Sequence, residues 1–208
     1  MTDAVTIAGI LLVAGPIIGM IPVAYPPFLT IWSMGREDHV STVAAHRRAW
    51  WMLNVGFVFA TIVTAGGLAV LAGALTGDAG RSAWLIAVWI AYTIGGVLWC
   101  TVLAMRARTT PALHDLGVIE SPPGTAERLL GAATGGVFAM FVVVTAASLV
   151  ALGAVLAVAG GAALPVDGLA ALIAVIAIGV QVVTGDTIPA VLYLPTLIIG
   201  IALLAGWT

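Results

Sequence analysis

The densest run of chemically capable side chains in this 208-residue chain is Arg36–Glu37–Asp38–His39, followed shortly by His46–Arg47–Arg48. Histidine is the commonest metal ligand and titrates near neutrality, so His39 and His46 are candidate cofactor ligands. They stand seven apart, which on a helix places them on one face about 10 Å apart in rise. That separation excludes one metal ion held by both from the same helix. A haem or metal site therefore needs a further ligand, and His114 is the third histidine. The chemistry this would support is that of a haem- or metal-binding membrane oxidoreductase. The alternative is that all three histidines are solvated or touch lipid head groups.

A second constellation is Gln181, Asp186 and Tyr193. A carboxylate near the membrane interior is costly and usually functional, which makes Asp186 a candidate substrate or ion contact with Gln181 and Tyr193 beside it. The competing reading is that Asp186 caps the helix that follows. Asn54 is a polar residue in an apolar run, suited to hydrogen bonding across helices or to ligand contact. No Walker-type phosphate loop, His-Glu-x-x-His, Cys-x-x-Cys or Gly-x-Ser-x-Gly motif is present, so no familiar soluble-type enzyme site is expected. Cys100 is the single cysteine, which excludes an internal disulfide and a thiolate cluster.

The elements that must position these residues follow from composition. Charged residues make up 8% of the chain and hydrophobic ones 62%, against about 25% charged in soluble domains. A threefold deficit of charge leaves too little to cover a soluble surface, and a lipid solvent accounts for it. The N-terminus has Asp3 but no basic residue before the first apolar run, so it reads as a retained helix rather than a secretory signal. The net charge of −2 and the lack of a basic stripe argue against a nucleic-acid partner.

A helix needs about 20 apolar residues to span a bilayer, and six windows qualify: 4–24, 50–75, 83–105, 129–159, 164–184 and 188–207. The expected fold is an all-α integral membrane bundle of about six transmembrane helices forming a single domain. Gly185–Asp186–Thr187 before Pro189 is the turn that separates the last two windows. With alternating directions, Arg36, Arg47, Arg48, Arg106, Arg108 and Arg128 share one side and Arg81 alone takes the other. The positive-inside rule makes the six-arginine side cytoplasmic and puts both termini outside. The chain is then a multi-pass protein of the plasma or inner membrane. Its two long cytoplasmic loops, 25–49 and 106–128, are the surfaces offered to a protein partner.

In the first loop, Glu37 to Ser41 begins a helix expected to run unbroken to Leu75. In the second, Pro111, Pro122 and Pro123 break the chain, and a short amphipathic piece over 112–118 is suited to lie along the head groups. Trp50, Trp51, Trp84, Trp99 and Trp207 fall near span ends, as interfacial belt residues do. Gly15/Gly19 and Gly131/Gly135 are paired four apart, spacing that favours packing within the chain over homo-oligomerisation. Pro16, Pro22, Pro189 and Pro195 kink the first and last spans. No internal repeat is evident. Three functions follow: an accessory membrane component acting through its cytoplasmic loops, a small-molecule permease or exporter with a cavity near spans 1 and 6, or the histidine-based oxidoreductase. The first is favoured because the spans carry so little buried charge.

Overall fold

The computed structural model describes residues 3–31, 33–75, 79–117, 124–158, 164–185 and 187–206. Asp186, Trp207 and residues 118–123 of the second long loop lie outside them. The described regular structure is helical: α1 (Asp3–Val23), α2 (Arg36–Ala45), α3 (Arg47–Ala74), α4 (Ala79–Asp115), α5 (Thr125–Val158), α6 (Leu164–Thr184) and α7 (Leu194–Leu204), with 3-10 turns at Pro26–Phe28 and Pro189–Tyr193. Five of these helices, α1, α3, α4, α5 and α6, are long and apolar enough to cross a membrane.

The long helices form a ring. α1 packs on α3, α3 on α4, α4 on α5, α5 on α6, α6 on α7, and α7 closes back on α1. Between apolar helices in lipid, close backbone approach and van der Waals contact replace the hydrophobic effect as the source of adhesion, and glycines mark several of the crossings. A Cβ added at Gly9 would stand 3.1 Å from the Gly200 carbonyl oxygen, where α1 meets α7. One added at Gly95 would stand 2.2 Å from Thr145 Oγ1, where α4 meets α5. Gly15 and Gly19 face Thr64, Ala60 and Phe57 of α3, so this pair packs within the chain. Gly131 and Gly135 do not: an added Cβ at either meets nothing within 4 Å.

Several boundaries differ from expectation. The helix expected to run from Glu37 into the second span is broken at His46, whose φ of −123° and ψ of 38° turn the chain between α2 and α3. The break costs little hydrogen bonding, since the His46 N–H still reaches the Thr42 carbonyl and the Trp50 N–H the His46 carbonyl. The first long loop is therefore built structure, with Phe28 and Ile31 fully buried.

The second long loop starts later than expected. Arg106 to Asp115 belongs to α4, a helix of 37 residues, about 55 Å long at 1.5 Å per residue. Pro111 is tolerated because it removes only one N–H, one turn before the helix ends. The end itself is set by Gly117, whose φ of 61° reverses the chain as C-terminal glycines do.

The last apolar window is split. Pro189 and Pro195 each lack an N–H, and the segment folds as a 3-10 turn followed by α7, only 11 residues long. α7 thus rises about 16 Å, roughly half the hydrocarbon thickness.

Two tryptophans expected in the interfacial belt are core residues instead. Trp50 is 1% exposed and Trp99 fully buried, whereas Trp51 and Trp84 are exposed. A large aromatic ring fills the space between helices as readily as it sits among head groups, and hydropathy alone does not separate the two.

Candidate functional site

At the arginine-rich end, the turn after α1, the start of α3 and the length of α2 enclose an aromatic cluster. The Phe28 ring meets Trp50 edge-on at 5.8 Å, and Tyr25 and His46 flank it. His39 approaches Trp50 edge-on at 5.7 Å, and its Nδ1 donates to the Ile31 carbonyl at 3.3 Å. His46 Nδ1 and the Tyr25 hydroxyl share a hydrogen bond of 3.2 Å. The Trp50 indole N–H donates to the Arg106 carbonyl, and the Arg106 guanidinium lies 5.6 Å from the Trp50 ring centroid, a cation–π distance.

His39 and His46 thus belong to one aromatic cluster, each with its own partner. His114 is at the end of α4, 3.6 Å from Asp115. Among the described residues, no group of three or more His, Cys, Asp or Glu is arranged to hold a metal ion.

Burial lowers the pKa of His39 from the ordinary imidazole value of 6.5; the Ile31 hydrogen bond opposes this and the Arg106 charge reinforces it. The folded chain therefore resists protonation at His39 more than the unfolded chain does. Its contribution to stability is complete above about pH 6.5 and declines as pH falls through the folded-state value. Thermal midpoints in detergent should drop below pH 6.5, and His39→Gln should flatten that drop. An unchanged pH profile in the variant would show that His39 is not the titrating group.

Two ion pairs bind this end together across elements. Arg36 of α2 donates to Glu127 Oε1 of α5. Arg47 of α3 grips Asp115 of α4 with two donors, Nη1 to Oδ2 at 2.8 Å and Nη2 to Oδ1. The Arg47 guanidinium holds the Asp115 carboxyl below the usual carboxylate range. Both partners of that second pair are about half exposed, so its worth lies in geometry more than in stability.

Beside this cluster a groove of about 720 Å3 opens between α4 and α5, within the range of small-molecule sites. Arg106, Thr109 and Glu127 line it together with Gly131, Thr134, Gly135 and Phe138. Gly185, Thr187 and Pro189, from the connection before α7, line it too. Glu127 Oε2 is buried and has no hydrogen-bond partner among the described residues.

The remaining polar candidates lie within the bundle. Asn54 is buried and donates to the Trp50 carbonyl of its own helix at 2.8 Å. Tyr193 is buried, stacks on Phe57 at 6.0 Å, and shares a 2.9 Å hydrogen bond with Thr61 Oγ1. Beside that bond is a cavity of about 10 Å3 lined by Thr61, Tyr92, Thr145 and Tyr193, on the scale of one water molecule. Gln181 is buried with no partner for Oε1 among the described residues, and Thr187 Oγ1 donates to the Ala177 carbonyl at 3.3 Å. Asp186, the carboxylate of this set, lies outside the described residues. A hollow of about 520 Å3 does adjoin the proline-bearing first and last apolar segments, lined by Pro16, Met20, Tyr193 and Leu197. Its walls are almost wholly carbon.

Sequence reasoning used Arg106 only for topology and passed over Glu127. A signal was present. Val102, Arg106, Thr109 and Leu113 on α4, and Glu127, Gly131, Thr134 and Phe138 on α5, are each spaced three or four apart, so each set forms one helix face. The α5 face grades from apolar Phe138 to acidic Glu127 toward the arginine-rich end, and the α4 face carries Arg106 and Thr109 between Val102 and Leu113. Comparison of the chain with protein-family models, curated proteins and solved structures finds no match.

Proposed function

We propose that the chain crosses a cell membrane six times, with both termini outside, and serves as an accessory component working through its arginine-rich inner end. The sixth crossing is the 3-10 turn plus α7, Pro189–Leu204, which is short for a full span. Its packing against both α6 and α1 supports counting it as one. The observation that carries the functional reading is the fixed geometry of the inner end. α2 is bound to α5 through Arg36–Glu127, and α3 to α4 through Arg47–Asp115. That leaves a strip of Glu37, Ser41, Ala45 and Arg48 exposed along one face of α2 and the start of α3. A rigid, mixed-charge strip beside a membrane is suited to dock a protein partner with little ordering cost. The carbon-walled hollow beside the first and last spans offers no aqueous path, which weighs against a permease.

The experiment places a photo-crosslinking residue at Ser41 or, as a control, at Ile62 on the flank of α3. Illumination of native membranes should give a discrete protein adduct from Ser41 and none from Ile62. Equal adducts at both positions, or none at Ser41, would refute the docking role. An alkaline phosphatase fused at the C-terminus should be active; an inactive fusion, with a cytoplasmic reporter fluorescent at the same site, would refute six crossings.

A further inference from the structure

We propose that the groove between α4 and α5 seats one bilayer phospholipid whose head group carries hydrogen-bond donors in addition to its phosphate. The inference goes beyond the docking role and does not depend on it. Depth is the first argument. Glu127 and Phe138 bound the groove along α5 and are eleven residues apart, a rise of about 16 Å. One leaflet of hydrocarbon is about 15 Å thick. A groove with charge at its rim and an aromatic ring one leaflet deeper has the polarity profile of a lipid.

Room for the chain is the second. Gly131 and Gly135 form part of the wall, and a Cβ at either would meet open space within 4 Å. This first half of α5 is exposed around most of its circumference, and the two glycines leave the groove wall free of side chains where an acyl chain would lie. This separates them from Gly95 and Gly15, whose absent side chains are required by a neighbouring helix.

Head-group chemistry is the third. Arg106 lines the groove with its guanidinium over the Trp50 ring, and an arginine placed there adds positive charge beside the site a phosphate would take. Glu127 shares that groove, with Oε1 accepting from Arg36 and Oε2 buried without a partner among the described residues. A buried carboxylate oxygen lacking a donor is destabilising. Glu127 is itself a wall residue of the groove, so a donor seated there is the one within reach of this oxygen. An ethanolamine ammonium or a glycerol hydroxyl supplies the donor it lacks. A choline head, with three methyl groups on nitrogen, has none.

The test uses the purified full chain in nanodiscs or mild detergent, offered equimolar phosphatidylethanolamine, phosphatidylglycerol and phosphatidylcholine of identical chains. Bound lipid is read by native mass spectrometry. Ethanolamine or glycerol lipid should be retained about tenfold over choline lipid, the factor expected when a hydrogen bond to a charged group is lost. Glu127→Gln, which replaces one carboxylate oxygen by a donor, should erase that preference. Gly135→Leu, whose side chain enters open space, should displace all three lipids while leaving the elution profile unchanged. Equal retention of the choline lipid by the wild-type chain, which needs no variant to fold, would overturn the proposal. So would a Gly135→Leu protein that is correctly folded and carries as much lipid as the wild type.

Discussion

Gly15→Ala should lower the thermal midpoint of the detergent-solubilised protein by about 10 °C, whereas Gly66→Ala should leave it nearly unchanged. The two glycines differ only in what surrounds them. A Cβ at Gly15 would stand 2.1 Å from Thr64 Oγ1, 2.9 Å from the Ala60 carbonyl oxygen and 3.1 Å from the Thr64 nitrogen; at Gly66 it meets nothing within 4 Å. Thr64 Oγ1 is itself bound to the Ala60 carbonyl, so it yields only by breaking that bond. The other two atoms are backbone of α3 and cannot move without moving the helix. Overpacking of this kind costs about 1–3 kcal/mol, and more where backbone must shift. A chain of this size loses about 2–4 °C per kcal/mol. Thr64→Ala in the Gly15→Ala background removes the first obstacle and should recover part of the loss, leaving the part due to backbone. A Gly15→Ala midpoint within about 2 °C of wild type would mean that α1 and α3 are not in such close contact.

That contact illustrates how much the sequence discloses. Apolar windows and a threefold shortage of charge are enough to read an all-helical, membrane-type chain, and the limits expected for α1 and α6 lie within a residue of those observed. Gly15 and Gly19 were also legible as a packing face. What hydropathy misses is helix made of polar residues. Arg106 to Asp115 continues α4 because nothing before Gly117 forces an end, yet its charges give it the look of a loop. The break at His46 is equally hidden, since no proline or glycine marks it, and the partners of its ring, Tyr25 and Phe28, come from a distant part of the sequence. The groove fared worst. Its rim is assembled from Arg106 and Glu127 on separate helices, and Arg36 reaches Glu127 from 91 positions away. Pairings at that range depend on which helices are neighbours, and composition does not state that. Gly131 and Gly135 show the remaining ambiguity, because small residues admit either a helix or a ligand at the same spacing.

Trp99 gives the largest expected loss of any single truncation, and its sequence position suggested the opposite. It is fully buried, stacks on Phe141 at 4.8 Å, and touches Phe57 and Phe138 at 5.8 Å each. It therefore joins α3, α4 and α5, and through Phe57 reaches Tyr193 ahead of α7. Truncating a buried tryptophan costs about 3–5 kcal/mol in soluble proteins. In lipid the apolar transfer term is largely absent between helices, while the lost contacts and the cavity remain. Trp99→Ala should consequently fall near the lower end, about 3 kcal/mol, and Trp84→Ala, exposed on the flank, should change little. Trp99→Phe separates ring from nitrogen. Among the described residues the indole N–H has no hydrogen bond of good geometry, although it lies beside the Tyr193 hydroxyl. If stacking dominates, phenylalanine should retain most of the stability in a thermal melt. If Trp99→Phe costs as much as Trp99→Ala, the indole nitrogen is bonded in solution. The polar cluster of Thr61, Thr145 and Tyr193 would then hold the ring of helices together, and the aromatic stack would only fill it.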